Sequence, residues 1–385
     1  MRYRSYTFEE IETEGASVVL TGPNGAGKTN VLEAVSMLTP GRGLRRASAE
    51  EGMRRPDTLG WRVRALVDTG TDTVEIATGV DDPDAPRRGV EIDRKPAPQT
   101  ALGRLLRLVW LTPAMDRLWT GPAAERRGFL DRATMGFFPE HAETTLAHEK
   151  AMRARNRLLK IEREGGGRPD RAWIEGLEAQ MARAGARLAR ARAEALARLS
   201  AAQEAVKTAT AEGDALFPRA RLSIVGDMEH RFAEALASGD DLDVLEADAT
   251  ARTGRALGLS RARDAAAGRT LEGPHRSDLD AVYAVKDMPA RDCSTGEQKA
   301  LLISLCLASA RALSRATGAT PVLLFDEVAA HLDERRRRAL FAEIDALGAQ
   351  AWMTGTDAGL FDGLSGALRL DVTERRGVSA IEAAS

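Results

Sequence analysis

Short apolar runs alternate with longer helical stretches along the first third of the chain. "SVVL" (17–20) predicts a buried strand, and a glycine loop then leads into a helix from Lys28 to about Leu38. Period-two alternation in "RVRALVDTG", "TVEIATGV" and "GVEIDRKP" predicts three strands separated by Gly, Asp and Pro turns. "LRLVWLTP" (106–113) predicts another, stopped by Pro113. The middle changes character. From about Ala142 to Ala211 nearly every residue is Ala, Arg, Glu, Leu or Lys, and the "GGGRPD" breaker (165–170) divides the stretch into a helical hairpin. Trp173, Leu177, Met181, Leu188, Ala191, Ala195 and Leu199 fall at helical spacing and predict one buried stripe. The arginines on the other faces then form a solvated surface. "ARLSIVGD" predicts a short strand and "MEHRFAEALAS" a further helix.

The last third returns to α/β texture. "SDLDAVYAV" reads as a strand, "KDMPARDC" as a turn and return, and residues 296–316 as a helix. "PVLLFDE" is a buried strand, a helix follows from Arg335, and "QAWMTGTD" is another strand. The organisation is a strand-rich domain interrupted by helices and then resumed.

Composition narrows this picture. The chain has 385 residues, 43% of them hydrophobic, which suits a globular fold. Its 55 basic and 57 acidic residues nearly cancel to −2, so any nucleic-acid binding must come from local patches. Two cysteines, Cys293 and Cys306, lack any metal or redox spacing, and five scattered histidines form no metal cluster. Met1 leads straight into charged "RYRS". The longest apolar run, "ALLISLCLASARAL", is broken by Arg311 and too short for a span. A soluble, cytoplasmic protein is expected.

Three motifs carry chemistry. "GPNGAGKT" (Gly22, Pro23, Asn24, Gly25, Ala26, Gly27, Lys28, Thr29) follows a predicted strand and opens a predicted helix, the setting of a phosphate-binding loop. Its glycines let backbone N–H groups converge on phosphate oxygens. Lys28 is placed to reach the β- and γ-phosphates, and Thr29 to ligate Mg²⁺. "PVLLFDE" delivers Asp326 and Glu327 at the end of a buried strand: Asp326 to hold Mg²⁺ and Glu327 to orient or deprotonate a water. "STGEQ" (294–298) is a second glycine-containing helix start, with Ser294, Thr295 and Gly296 at the cap and Glu297 in the first turn.

In this order, with Asp333 a fixed step beyond the acidic pair, the motifs resemble the ATP-binding-cassette ATPases. That resemblance implies an α/β P-loop head whose Ser294–Glu297 signature caps ATP held by a second protomer, with Asp333 in the loop that follows. "ERRGFLDR", "TLEGPHRSDL", "PARDCSTGEQKALLISLCLA" and "LLFDEVAAHLDERRR" make the chain similar to the RecF family, relatives of the SMC proteins, over nearly its whole length.

The family implies a head with an inserted, mainly helical lobe: residues 1–140 and 263–385 as head, 141–262 as lobe. It implies an ATP-dependent homodimer on DNA, single-stranded or gapped and duplex. Slow, weak DNA-dependent ATP hydrolysis would reset binding, and the RecA recombinase would be loaded at gaps with RecR and RecO as partners. A nucleotide-binding subunit of a membrane transporter shares the catalytic motifs. A small-molecule P-loop kinase explains Lys28 but not the signature.

The sequence departs from the family pattern in places. "RYRSY" resembles the stretch that ends the family's first strand, and the residues before it are missing here. Where cassette ATPases place a histidine that senses the γ-phosphate, "MTGTD" offers Thr354 or Thr356. No glutamine follows "VWLTP", where Asp116 or a backbone group would serve. His275 is a core or an interface residue. Arg335 to Arg338, and Arg42, Arg45 and Arg46, are solvated or contact phosphate.

Overall fold

The computed structural model describes residues 1–54, 59–165, 167, 170–204 and 216–384. In chain order, β1 (Val18–Thr21) and α1 (Lys28–Ser36) precede a meander of β2 (Trp61–Asp68), β3 (Thr73–Val80), β4 (Gly89–Ile92) and β5 (Lys95–Pro96). After β6 (Leu108–Leu111) come α2 (Ala123–Phe137), α3 (His141–Arg163) and α4 (Arg171–Glu204). Then follow β7 (Ala220–Val225), α5 (Asp227–Ser238), α6 (Leu242–Ala267), β8 (Asp278–Tyr283) and β9 (Met288–Pro289). The chain closes with α7 (Thr295–Thr317), β10 (Val322–Phe325), α8 (Glu334–Leu347), β11 (Ala351–Gly355), β12 (Leu368–Arg375) and β13 (Val378–Ala383).

These elements form two compact units. The first holds Met1–Arg117, Ala202–Arg219 and Ser294–Ser385; the second holds Leu118–Ala201 and Ala220–Cys293. The second unit begins before 141 and ends after 262, the lobe boundaries that the family resemblance implied. It is wider because α2 packs on α3 and β8, and because β8 pairs antiparallel with β7. The strand at Asp278 therefore belongs to this unit and not to the resumed head.

In the first unit, a six-stranded sheet runs β13-β12-β1-β11-β10-β6, parallel throughout except for the antiparallel edge strand β13. Its central strands are apolar because both faces are covered. α1 lies between this sheet and the antiparallel β2-β3-β4-β5 sheet. Val31 and Leu32 pack with Val18, Leu20 and Leu324, while Ala34, Met37 and Leu38 pack with Trp61, Val63 and Ile76. Burial on two sides gives the helix little freedom to shift. The end of α1 is held too. Buried Arg88 donates to the carbonyls of Met37, Thr39 and Gly41 and to Thr78 Oγ1, and burial lowers its pKa to about 10.

α7 has 23 residues and is long and apolar enough, by length and composition, to cross a membrane. That is longer than the apolar run read from the sequence. Leu301, Leu302, Ile303, Leu305 and Cys306 are fully buried, and the helix packs on β6 and α8, as a core helix does.

The second unit corrects several expectations. The hairpin of α3 and α4 is present, and the stretch expected to continue to Ala211 lies outside the described residues beyond Glu204. Met181, Leu188, Ala195 and Leu199 are buried, but Trp173, at the first turn of α4, is exposed. Not all arginines are solvated either. Arg155 and Arg192 are among the most buried side chains of this unit. Arg155 uses all three guanidinium nitrogens, bonding Glu178 (3.0 Å), Asp264 (2.8 Å), Thr270 Oγ1 (3.0 Å) and the carbonyl of Leu257 (2.8 Å). Arg192 bonds Asp131 (2.8 Å), Glu229 (3.0 Å), Ser277 Oγ (2.9 Å) and the carbonyl of Pro274 (2.6 Å). On another face of α4, Ala186, Ala189 and Ala193 let the helix approach Phe232 and Ala249 closely.

Candidate active site

Positive φ and close packing, at two glycines, shape the loop after β1. Gly22 has φ +143°, and a Cβ there would lie 2.2 Å from the Val372 carbonyl oxygen. Gly27, the N-cap of α1, has φ +111°, and a Cβ there would lie 2.5 Å from Ser379 Oγ. Neither position accepts a side chain. Pro23, Asn24 and Gly25 form the exposed lip, Ala26 is buried, and the N-terminus of α1 adds positive potential behind them.

Lys28 is 4% exposed, and its Nζ donates to the carbonyls of Gly22 (2.6 Å) and Pro23 (2.8 Å). Burial lowers its pKa, while the charges of Glu327 and Asp326 act the other way. Those acids follow β10, which is separated from β1 by β11. The gap is bridged by hydroxyls. Thr29 Oγ1 donates to Asp326 Oδ1 (2.9 Å), and so does Thr354 Oγ1 from β11 (2.8 Å). Burial raises the pKa of Asp326, and the bonds from Thr354 and Thr29 pull it back. Glu327 has φ +55°, a left-handed conformation that disfavours a glutamate by roughly 1–2 kcal/mol. Its N–H donates to Thr354 Oγ1 (2.9 Å). Strain of this kind gathers where a side chain must be aimed.

The structure thus joins Lys28, Thr29, Asp326, Glu327 and Thr354 in one place. The hydroxyl of Thr29 and the carboxylate of Asp326 are hard oxygen donors, a set that fits Mg²⁺ shared with a phosphate. Among the described residues no group of three His, Cys, Asp or Glu side chains could hold a metal by itself.

The signature residues are arranged differently. Ser294, Thr295 and Gly296 are exposed at the start of α7. Ser294 and Glu297 form a reciprocal capping box: Glu297 Oε2 accepts from the Ser294 N–H (2.9 Å) and from its Oγ–H (2.8 Å). A Cβ on Gly296 would meet nothing within 4 Å. Asp333 caps α8, accepting from the Arg336 N–H at 2.8 Å. Asp116 pairs with Lys299 of α7 at 3.2 Å. Thr356 is exposed just beyond β11. Arg338 pairs with Glu334, and Arg45 bonds Asn30 and Glu33 of α1. His275 is half-buried in the second unit, with Nε2 on the Thr270 carbonyl and its ring 5.8 Å from that of His148.

The loop has further supports, among them residues of the "RYRSY" stretch. Ser379 of β13 donates to the Ala26 carbonyl (2.6 Å) from 353 positions away. Ser5 accepts from Asn30 (2.8 Å), and Tyr6 donates to the Gly27 carbonyl (3.1 Å). Arg4 pairs through two bonds with the buried Glu33 of α1. The two ends of the chain therefore buttress the phosphate loop.

A family model, the RecF/RecN/SMC N-terminal domain, matches residues 1–376. "DNA replication and repair protein RecF" of Caulobacter vibrioides (strain ATCC 19089 / CIP 103742 / CB 15) is 47% identical over 370 residues, covering 94% of this chain and 92% of that protein. The protein of the same name from Mesorhizobium japonicum (strain LMG 29417 / CECT 9101 / MAFF 303099) is 49% identical over 368 residues, with the same coverage. The chain belongs to the RecF family. A solved RecF–ATP structure superposes with a TM-score of 0.80 at 21% identity, covering 100% of this chain and 96% of that one. An SMC head bound to the C-winged helix domain of ScpA gives 0.52 at 15% identity, covering 100% of this chain and 95% of that one. These likenesses establish the fold, an ABC-type P-loop ATPase architecture that RecF shares with SMC heads.

Proposed function

We propose that this RecF-family chain is an ATP-dependent DNA-binding protein of recombinational repair and replication-fork maintenance. Two copies dimerise on DNA with ATP between their heads, and slow hydrolysis resets binding. The first unit serves as the head and the second as the inserted helical lobe. Lys28 and the loop Gly22–Thr29 hold the phosphates, and Thr29 and Asp326 would hold Mg²⁺, which supplies charge neutralisation when bound. Glu327 takes or orients the proton of the attacking water. The family names, and the recombination-mediator role in the RecFOR pathway given to the solved RecF–ATP protein, support a gapped or duplex DNA ligand and RecO- and RecR-type partners. Recombinase loading at single-strand gaps, weak DNA dependence of the hydrolysis and a cytoplasmic location belong to the same reading. A transporter subunit is disfavoured by family membership.

The observation that carries the dimer is the start of α7. Gly296 stands in the exposed first turn of α7, and among the described residues nothing comes within 4 Å of a Cβ placed there. An exposed, preformed helix N-terminus beside that glycine is a site for an anion arriving from outside, which a second copy's γ-phosphate supplies. Asp333, exposed at the next helix start, fits the same interface.

The test mixes variants. Ser294→Arg should leave ATP binding by the monomer intact while dimerisation and hydrolysis fail, because the cation opposes the helix N-terminal potential. Combined with Lys28→Met subunits, it places both lesions in one site of the dimer and leaves the other whole. Partial return of dimer and hydrolysis, by sizing and phosphate release, is the expected result. Loss of ATP binding in a folded Ser294→Arg monomer would exclude the trans arrangement.

A further inference from the structure

We propose that Thr354 is a positioning residue for ATP hydrolysis: its hydroxyl is a strut that fixes the Asp326 carboxylate and the Glu327 backbone together. This rests on the ATPase reading above and goes beyond it. Where cassette relatives were expected to offer a phosphate-sensing side chain, this hydroxyl faces the acidic pair instead.

A threonine hydroxyl has one proton and two lone pairs. The proton goes to Asp326 Oδ1 at 2.8 Å, and one lone pair receives the Glu327 N–H at 2.9 Å. The remaining lone pair can only accept, so it is of no use to a phosphate oxygen, which needs a donor. The side chain is 1% exposed on a strand hydrogen-bonded on both sides, by β1 through Leu20↔Thr354 and by β10 through Phe325↔Met353. Pairing holds its backbone and burial leaves the hydroxyl little room to turn to a new partner. Both ends of the strut matter to chemistry. At one end, Asp326 Oδ1 is shared with Thr29, so Thr354 helps set which carboxylate oxygen remains for a cation. At the other, the left-handed turn at Glu327 (φ +55°) is held by a bond to its own amide, and that turn aims the carboxylate. Thr356 is exposed past the strand end and has neither role.

Thr354→Val keeps the shape and removes both bonds, while Thr354→Ser keeps the hydroxyl. Binding of a fluorescent ATP analogue should stay within about twofold of wild type for the Val variant in EDTA, since the phosphate loop is untouched. Turnover should fall about tenfold or more with KM nearly unchanged, as expected for a misaimed catalytic group. The Mg²⁺ concentration that half-maximally tightens nucleotide binding should rise, and the Ser variant should restore both quantities. Wild-type turnover by the Val variant would overturn the proposal, as would a Ser variant no better than Val. Loss of nucleotide binding in EDTA by a folded Val variant would mark a phosphate contact and overturn it too. If Val does not fold, Thr354→Ala leaves room for a water and takes its place. Unfolding of both would show a merely structural role and also overturn it. Wild type and Glu327→Gln run alongside: no hydrolysis by wild type defeats the ATPase reading, whereas an active wild type with an equally active Val variant defeats the strut alone.

Discussion

Around Lys28 and Asp326 the first unit buries charge beneath an exposed loop, and each group leans on neutral oxygens: two loop carbonyls for the lysine, two threonine hydroxyls for the aspartate. Around Arg155 and Arg192 the second unit buries charge against charge, and nearly every guanidinium donor is spent inside the unit. The first arrangement holds charges that a ligand can still use, because a polyanion would pair with Lys28 better than two carbonyls do. The second is complete without any ligand. Burial alone would raise the pKa of Asp131, but the Arg192 charge and the bond from His141 hold it well below the carboxylate range. The same contrast separates the sequence motifs. "GPNGAGKT" and "FDE" build an open site. "ERRGFLD" and "GPHRSD" meet each other: Arg126 pairs through two 2.8 Å bonds with Asp278, and Arg127 bonds the Ser277 carbonyl. A motif with many charged residues can therefore be an internal brace.

The largest effect that could break this contrast is at Lys28. Lys28→Met should lower ATP turnover by about a thousandfold, roughly 4 kcal/mol, yet leave stability the same or slightly higher, because a partly unpaired buried charge is removed. Turnover and urea unfolding measured on one preparation check both halves, and a large loss of stability would contradict the contrast. Arg155→Met should behave oppositely. It strands Asp264 and part of Glu178 without a cation, which costs about 3–5 kcal/mol in urea unfolding of the full chain. A loss under 1 kcal/mol would mean that the hub is ornamental.

Acid should weaken the second unit through His148. Burial lowers its pKa to about 4, helped by His275 and Arg192, against about 6.5 in an unfolded chain. The unfolded state binds the proton first, so this stability is present above about pH 6.5 and is lost as pH falls toward 4. Between pH 7 and pH 5 the loss is about 2 kcal/mol, and His148→Gln should remove that part of the slope. Equal slopes in the two proteins would refute the assignment. A smaller effect is expected at the signature helix, where Ser294→Ala costs about 1 kcal/mol of stability through the lost cap. If the trans site is right, hydrolysis falls by much more than that. Smallest of all, Trp173→Ala should change stability by less than about 0.5 kcal/mol, since the ring is mostly exposed. A larger loss in thermal melting would return Trp173 to the buried stripe.

Much was legible along the chain. The phosphate loop, the acidic pair and the signature helix are local patterns, with glycine, apolar runs and capping residues at fixed spacing, and each forms where its pattern stands. The strands at Thr73–Val80 and Val322–Phe325 follow the same logic. α6 was not legible, because its buried face holds Ser260 and Asp264 beside Ala249 and Leu257, so no apolar period forms. α2, β12 and β13 likewise left no clear pattern, and Trp173 stands in the right period at a helix start where its ring is mostly exposed.

By itself, the sequence determined the chemistry available: a loop that cannot carry side chains at Gly22 and Gly27, a lysine and threonine behind it, and two carboxylates after a buried strand. Those are local patterns of residue type and spacing, although the close approaches that bar a side chain at Gly22 and Gly27 come from distant Val372 and Ser379. Only the tertiary structure decided that Thr29 meets Asp326 across the intervening strand, that the Thr354 hydroxyl ties Asp326 to the Glu327 amide, and that Ser379 and Ser5, from opposite ends of the chain, brace the loop. It also decided which arginines became internal ties. The reason is physical: a buried polar group must find a partner wherever the fold brings one, and hydrogen bonds between strands and helices far apart in the chain leave no period or motif behind.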